Sequence, residues 1–371
     1  MHIGIDARFY GPFGKGLGRY VQKLIEHLER IPADHRFTIF LRKENWDVYT
    51  PHDERFVKCL ADFPWYSVRE QTHFPRLLRA QQCDRVHFPH YNVPVLYRRP
   101  FLVTIHDLIV SRYPTVRAST LNPIVYRAKH LAYQFVIRSA IQRARAILTV
   151  SEYSKRILQE TYRISSDRIT VTYEAAEPLT REIPKMLDNR FRSLAPYLLY
   201  VGNAYPHKNL DGLVRAFALL RTKTAQPIRL VLVGKIDYFY ERVRALVNDL
   251  SLSDVVIFPG YVTDEELASL YRYALLYVFP SFEEGFGLPP LEAMQAGVPV
   301  ASSDRSCLPE VLGDAAAYFD PGSPETIAHA LHEVLTNDAR RADLLQRGYK
   351  RVARFRWDDL ARKTLAVYTE S

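Results

Sequence analysis

Cysteine is scarce in this chain. Cys59, Cys83 and Cys307 are the only three in 371 residues, far apart and odd in number. That excludes a small disulfide-stapled scaffold and points to a reducing compartment. Long apolar runs are also missing: none reaches the roughly 18 residues of a membrane-spanning helix. The opening "MHIGIDARFY" lacks the basic, apolar and small-residue order of a signal peptide and reads as a first strand, so a cytoplasmic protein is expected. There is no Asp-x-Asp and no His/Cys group with zinc spacing, so neither a metal nor another cofactor is expected. Helix-turn-helix, RNA-recognition and zinc-finger patterns are absent, which argues against nucleic acid as the partner of a chain with net charge +9. No internal repeat or low-complexity tract occurs.

The positive charge that is present is unevenly spread. Residues 1–180 carry 27 Lys and Arg against 17 Asp and Glu; the remainder carries 23 against 24. Within 71–150 there are 12 basic residues and two acids, Asp84 and Asp107. An anionic surface would be met by the first half.

Short apolar runs alternate with amphipathic stretches along the whole length. "HIGIDA", "RFTIFL", "RVHFPH", "FLVTIHD" and "AILTVS" read as strands in the first half. "YLLYVG", "IRLVLVG", "VVIFPG", "LLYVFPS" and "VPVASS" read as strands in the second. Helical patterns such as "GRYVQKLIEHLERI", "LDGLVRAFALLRT" and "ETIAHALHEVLTN" lie between them. Strand then helix, repeated, predicts parallel sheets with helices on both faces, and near-uniform apolarity fits strands covered on both sides. The fold class is therefore α/β, with a doubly wound, Rossmann-like domain at 1–180, a proline-containing charged linker at 181–195, and a second such domain from 196 to 355. Sites of such sheets lie outside the carboxyl ends of the strands.

One such strand end carries "SFEEGFGLPPLEAMQAG", in which Glu284 and Glu292 stand eight residues apart. Pro289 and Pro290 suit a first helical turn and Gly297 its end, predicting a helix over 289–296 with Glu292 in its first turn. The glycines Gly285 and Gly287 free backbone N–H groups for close approach. A helix N-terminus suits phosphate, and carboxylates accept hydrogen bonds from sugar hydroxyls. That is the chemistry of a nucleoside diphosphate sugar; dipole complementarity with solvated glutamates fits the spacing equally well. Lys208 in "PHKN" follows a strand and opens a helix, where a cation can neutralise a leaving diphosphate or merely sit in water. His106 ends the strand "FLVTI", and is either reactive or structural. Gly16 and Gly18 in "GKGLG" make a phosphate-approaching loop or a hairpin turn.

The stretch "PSFEEGFGLPPLEAMQAGVPVASSDRSCLPEV" resembles the E-x7-E region of the retaining family-4 glycosyltransferases of the GT-B fold, a group that includes glycogen-synthase-like and bacterial mannosyltransferase-like enzymes. "GKGLGRYVQKL", "VTIHD", "TVSEYSKRIL", "LLYVGNAYPHKNLDGLVRAF", "VIFPGYVTDEELASLY" and "FRWDDLARKTLAVY" resemble further segments of that family in the expected order. The resemblance implies two domains facing across a cleft: an acceptor-binding domain, a nucleotide-sugar domain, and a terminal helix at 356–371 crossing back to the first. It implies that Glu284 holds hydroxyls of the transferred sugar and Glu292 the ribose diol. The N–H groups of Phe286, Gly287 and Leu288 would meet sugar and phosphate. The glycines Gly16, Gly18 and Gly202 and Lys208 would approach the diphosphate, Tyr261 and Val262 the base, and His106 the transferred sugar. The family's usual arginine in the phosphate loop is replaced here by Asn203 or His207, and either His207 or an arginine from elsewhere in the chain is the expected substitute. Transfer with retained configuration, no metal, and mannose from GDP-mannose follow as expectations. A nucleotide-sugar epimerase, a glucan phosphorylase and a catalytically silent nucleotide-sugar-binding protein are the alternatives.

Between Leu108 and Ser151 there is no acid, whereas Arg112, Arg117, Arg127 and Lys129 are interleaved with Tyr113, Tyr126 and Tyr133. Cations beside aromatic rings are the composition of an interfacial helix, or of a solvated helix face. The expectation is an anionic membrane surface carrying a glycan or lipid-diphosphate-linked acceptor.

Overall fold

The structure is a computed structural model that describes residues 1–112, 123–177, 185–224 and 227–370. The chain divides into two units, Met1–Glu174 with Arg356–Ser371, and Ala175–Phe355.

The first unit holds a seven-stranded sheet of β1 (His2–Asp6), β2 (Arg36–Leu41), β3 (Phe56–Leu60), β4 (Arg85–Phe88), β5 (Phe101–Ile105), β6 (Ala146–Thr149) and β7 (Ile169–Val171), in the order 3-2-1-4-5-6-7. Every pairing is parallel. The second unit holds β8 (Tyr197–Val201), β9 (Arg229–Val233), β10 (Val256–Gly260), β11 (Ala274–Phe279), β12 (Val300–Ser303) and β13 (Ala316–Phe319), in the order 10-9-8-11-12-13, again all parallel. Central strands such as FLVTI of β5 are buried at every position, because helices cover both faces.

Ten strands match the apolar runs. β3, β7 and β13 do not, and each is the outermost strand of its sheet. β3, FVKCL, is half wet, and β7 is only three residues long. An edge strand has fewer covered positions, so its sequence is less apolar.

The predicted linker was drawn at 181–195. The unit boundary falls instead at Glu174, and Lys185–Arg192 form a helix that packs within the second unit against helix Asp264–Tyr273, with Arg190 2.9 Å from Glu266. The terminal helix Trp357–Glu370 belongs to the first unit. It packs on helix Lys15–Glu29, with His27 Nδ1 2.6 Å from Asp358, and its Tyr368 hydroxyl lies 2.7 Å from His87 Nδ1. No helix among the described residues is long and apolar enough to cross a membrane.

Candidate active site

In the second sheet β8 and β11 are neighbours whose crossovers run in opposite directions, so the loops after them part and leave a crevice. Residues 202–208 form one wall and residues 280–287 the other. The walls are stitched together: the Phe282 N–H donates to the His207 carbonyl at 2.8 Å. Asn209 sits in the left-handed region and its side chain donates to the carbonyls of Pro280 (3.2 Å) and Pro321 (2.7 Å). Gly212 leaves room for that amide, since a Cβ there would lie 2.5 Å from Asn209 Oδ1.

Across this crevice Lys208 Nζ meets Glu284 Oε1 at 2.6 Å. The two side chains are 15% and 9% exposed, so the pair is sheltered but reaches solvent. The Phe279 ring lies 5.7 Å from the ammonium. Glu284 is held from behind: its N–H donates to Ser306 Oγ at 3.2 Å, and Cys307 Sγ faces its carbonyl at 3.4 Å and that of Phe286 at 3.3 Å. Burial pushes the Cys307 thiol well above its ordinary pKa, so it serves as a neutral donor. Nothing in the sequence pattern marked Ser306 and Cys307, nor the buried Glu283 beside Glu284.

Helix Leu288–Gln295 begins one residue earlier than the glycine and proline signals predict. Its cap is Gly287, at φ 92°, where a Cβ would also approach Leu308 Cδ2 to 2.9 Å. Gly285, Phe286 and Gly287 are all buried, and the Leu288 N–H belongs to the helix N-terminus, where a partial positive charge favours an anion. Glu292 is buried in the second turn rather than the first.

The phosphate loop corrects one expectation. His207 is not a replacement cation: burial, then the adjacent Lys208, push its pKa down to about 4, with Glu284 opposing only in part. Asn203 spends its oxygens on the loop, the carbonyl accepting from Tyr200 OH at 2.7 Å and Oδ1 from the Tyr205 N–H at 3.2 Å. The Gly202 carbonyl accepts from Tyr240 OH at 2.8 Å. Lys208 is therefore the charge this loop supplies. Tyr261, 82% exposed, and the half-buried Val262 follow β10.

The first unit places the other predicted residues. His106 follows β5, with Nδ1 3.2 Å from Glu174 Oε1 and Nε2 3.1 Å from the Pro89 carbonyl. Carboxylate and carbonyl both accept, and a neutral imidazole donates to one of them at a time. Tyr20 stands edge-on at 4.6 Å, and its hydroxyl, Thr104 and His87 form a buried polar line beneath. Gly16 and Gly18 are helical, inside Lys15–Glu29, not a hairpin turn. A Cβ at Gly18 would lie 2.0 Å from the Gly11 carbonyl, whereas at Gly16 it would meet nothing within 4 Å. Gly18 is a packing glycine.

Arg112, Arg127 and Lys129 are exposed. Tyr133 is not a surface ring: it packs edge-on against Tyr91 at 5.0 Å and its hydroxyl is 3.1 Å from Ser111. Arg117, Tyr113 and the Tyr126 side chain lie outside the described residues. Among the described residues no three His, Cys, Asp or Glu converge in a way that could hold a metal ion.

Two family descriptions match the chain in tandem, "Glycosyltransferase Family 4" over residues 14–177 and "Glycosyl transferases group 1" over residues 186–351. The O-antigen chain mannosyltransferase B of Escherichia coli is 32% identical over 76% of this chain and 73% of its own length. Sucrose-phosphate synthase from Thermosynechococcus elongatus superposes over 100% of this chain and 98% of its own, with TM-score 0.78 at 21% identity. Anabaena Alr3699/HepE in complex with UDP and glucose superposes over 100% and 99%, with TM-score 0.73 at 15% identity. With both sheets doubly wound and both halves matched, the chain belongs to the family-4-like glycosyltransferases of the GT-B fold.

Proposed function

We propose that this enzyme moves a sugar from a nucleoside diphosphate sugar to a glycan or lipid-diphosphate-linked acceptor, with retention of configuration and without a metal ion, in building a cell-surface polysaccharide. GDP-mannose is the first donor to test. The observation that carries the proposal is the Lys208–Glu284 pair, one member from each wall of the β8/β11 crevice. In the proposed complex a donor separates the pair. Lys208 turns to the pyrophosphate and offsets the charge that builds on the leaving group. Glu284 accepts from hydroxyls of the transferred sugar, while the N–H groups of Phe286, Gly287 and Leu288 meet phosphate and sugar. Glu292 takes the ribose diol, and Tyr261 and Val262 border the base. Since Lys208 and a helix N-terminus already neutralise the diphosphate, activity is expected to persist in EDTA; loss that manganese restores would count against this part. The name of the E. coli relative supports mannose and a surface polysaccharide, and the nucleotide in the Anabaena complex supports a nucleoside diphosphate donor.

The test is a thermal-shift panel of nucleotides and nucleotide sugars, followed by transfer assays with the ligand that binds. A ligand at 100 times its Kd stabilises by about 2.7 kcal/mol. In the Glu292→Ala variant the donor KM is expected to rise by the equivalent of about 1.5–3 kcal/mol, with kcat less affected. Silence across the panel would remove the reading, and donor turnover with no acceptor would favour an epimerase or hydrolase instead.

A further inference from the structure

Helix Pro123–Arg143 is apolar on two opposite sides. One side carries Ile137, Ala140 and Ile141, all fully buried in the core of the first unit. The other presents Arg127, Leu131, Phe135 and Arg138, spaced four, four and three residues apart and therefore on one face. All four are exposed, Leu131 at 69% and Phe135 at 63%. Two large apolar side chains one turn apart are thus held in water, bracketed by arginines a turn before and a turn after. Lys129 is exposed on the same helix.

The chemistry around this face selects its partner. Residues 71–150 carry 12 basic side chains and two acidic ones. A second copy of the chain docked through the same patch would set those cations against each other. Nucleic acid has no use for an exposed leucine and phenylalanine. A sheet of lipid phosphates over an acyl boundary satisfies both features. Arginine and lysine stems lie along apolar surface while their heads reach phosphate, and apolar side chains between them enter the hydrocarbon.

We infer that this face lies flat on an anionic bilayer, with Leu131 and Phe135 entering the acyl boundary and Arg127 and Arg138 meeting lipid phosphates. The wedge is Leu131 and Phe135, not the inward-packed Tyr133. The inference is independent of the donor chemistry proposed above.

It is tested by co-sedimentation of the whole chain with vesicles of phosphatidylcholine alone or mixed with phosphatidylglycerol. The expected result is binding to the mixed vesicles that weakens as salt is added. Leu131→Asp with Phe135→Asp lowers the partition coefficient about tenfold or more. Arg127→Gln with Arg138→Gln lowers it about 25-fold, from about fivefold per cation near an anionic surface. Val68→Asp, at another exposed apolar position of the same unit, leaves it unchanged. Equal binding to phosphatidylcholine alone, full binding by both double variants, or a solution dimer that Leu131→Asp dissolves would each overturn the inference. No nucleotide sugar enters the assay, so its result stands apart from the transferase reading. A melting temperature that is equal in wild type and Leu131→Asp/Phe135→Asp confirms that the substitutions act on the exposed face and not on the fold.

Discussion

Both units carry a crevice between two strands whose crossovers diverge, β1 and β4 in the first, β8 and β11 in the second. The first has been sealed. Arg8, which follows β1, is 1% exposed and lies 2.7 Å from both Asp6 and Glu70, over the Phe74 ring at 4.1 Å. Glu70 also accepts from Asn92 at 2.7 Å and from the Tyr66 N–H at 2.8 Å. Burial alone would lower the pKa of Arg8, but Asp6 and then Glu70 outweigh it and raise it. Each of the four carboxylate oxygens around this cation accepts from at least one donor, and the cluster is closed to solvent. In the second unit the comparable cation, Lys208, meets one carboxylate and still reaches water. The same architecture thus yields a structural ion cluster where the charges are fully enclosed and, in the function proposed above, a binding site where one pair still reaches solvent.

Four experiments would break or sharpen this contrast. The largest stability effect is expected for Arg8→Ala, which strands two buried carboxylates and costs on the order of 3–5 kcal/mol in urea unfolding. Lys208→Ala should do the reverse. Transfer falls by about 10²–10³ in kcat, as for loss of a transition-state charge donor, while stability changes by no more than about 2 kcal/mol. Equal destabilisation by the two variants would end the distinction.

Acid supplies the third test. Burial lowers the pKa values of His87 and His90 in the first unit to about 3, and that of His207 in the second to about 4. These rings stay neutral in the folded state while the unfolded chain takes up protons near pH 6.5. The stability they confer is complete above about pH 6.5 and is lost as pH falls towards 4, by up to about 1.4 kcal/mol per pH unit for each ring. Melting curves should therefore drop across that window, and His87→Gln, which keeps hydrogen-bonding atoms but does not titrate, should flatten the fall. The smallest effect is expected for Gly16→Ala, a helical position with open space, where thermal melting should show a gain of up to about 1 kcal/mol. Gly18→Ala, facing a backbone oxygen, should be destabilising instead.

Much of this was legible in the residues. The nine central strands, and β10 at one edge, announce themselves, because covering both faces of a parallel sheet demands uninterrupted apolar runs. The helix after Gly287 is marked by its own glycine and prolines, and Glu284, Glu292 and Lys208 by the strands they follow. Three of the four edge strands, β3, β7 and β13, were not legible, being short or partly uncovered. Neither was the neutrality of His207, since a histidine's charge state depends on how much water its neighbours exclude. Cys307 and Ser306 gave no signal because their task, holding the Glu284–Phe286 backbone, is defined by a loop that arrives from another strand. Tyr133, expected on the surface, packs inward, and Leu131 is exposed instead: helical spacing does not say which surface faces the sheet.

Local patterning by itself determined the class of fold, the positions of the strand ends, and the kinds of groups gathered there, because hydrophobic periodicity and turn chemistry are written over a few consecutive residues. Only the tertiary structure decided that Lys208 and Glu284, 76 residues apart, would touch, that Arg8 would be sealed, and that Leu131 and Phe135 would face water. Pairing and burial are set by which strands become neighbours, and that order is a property of the whole sheet.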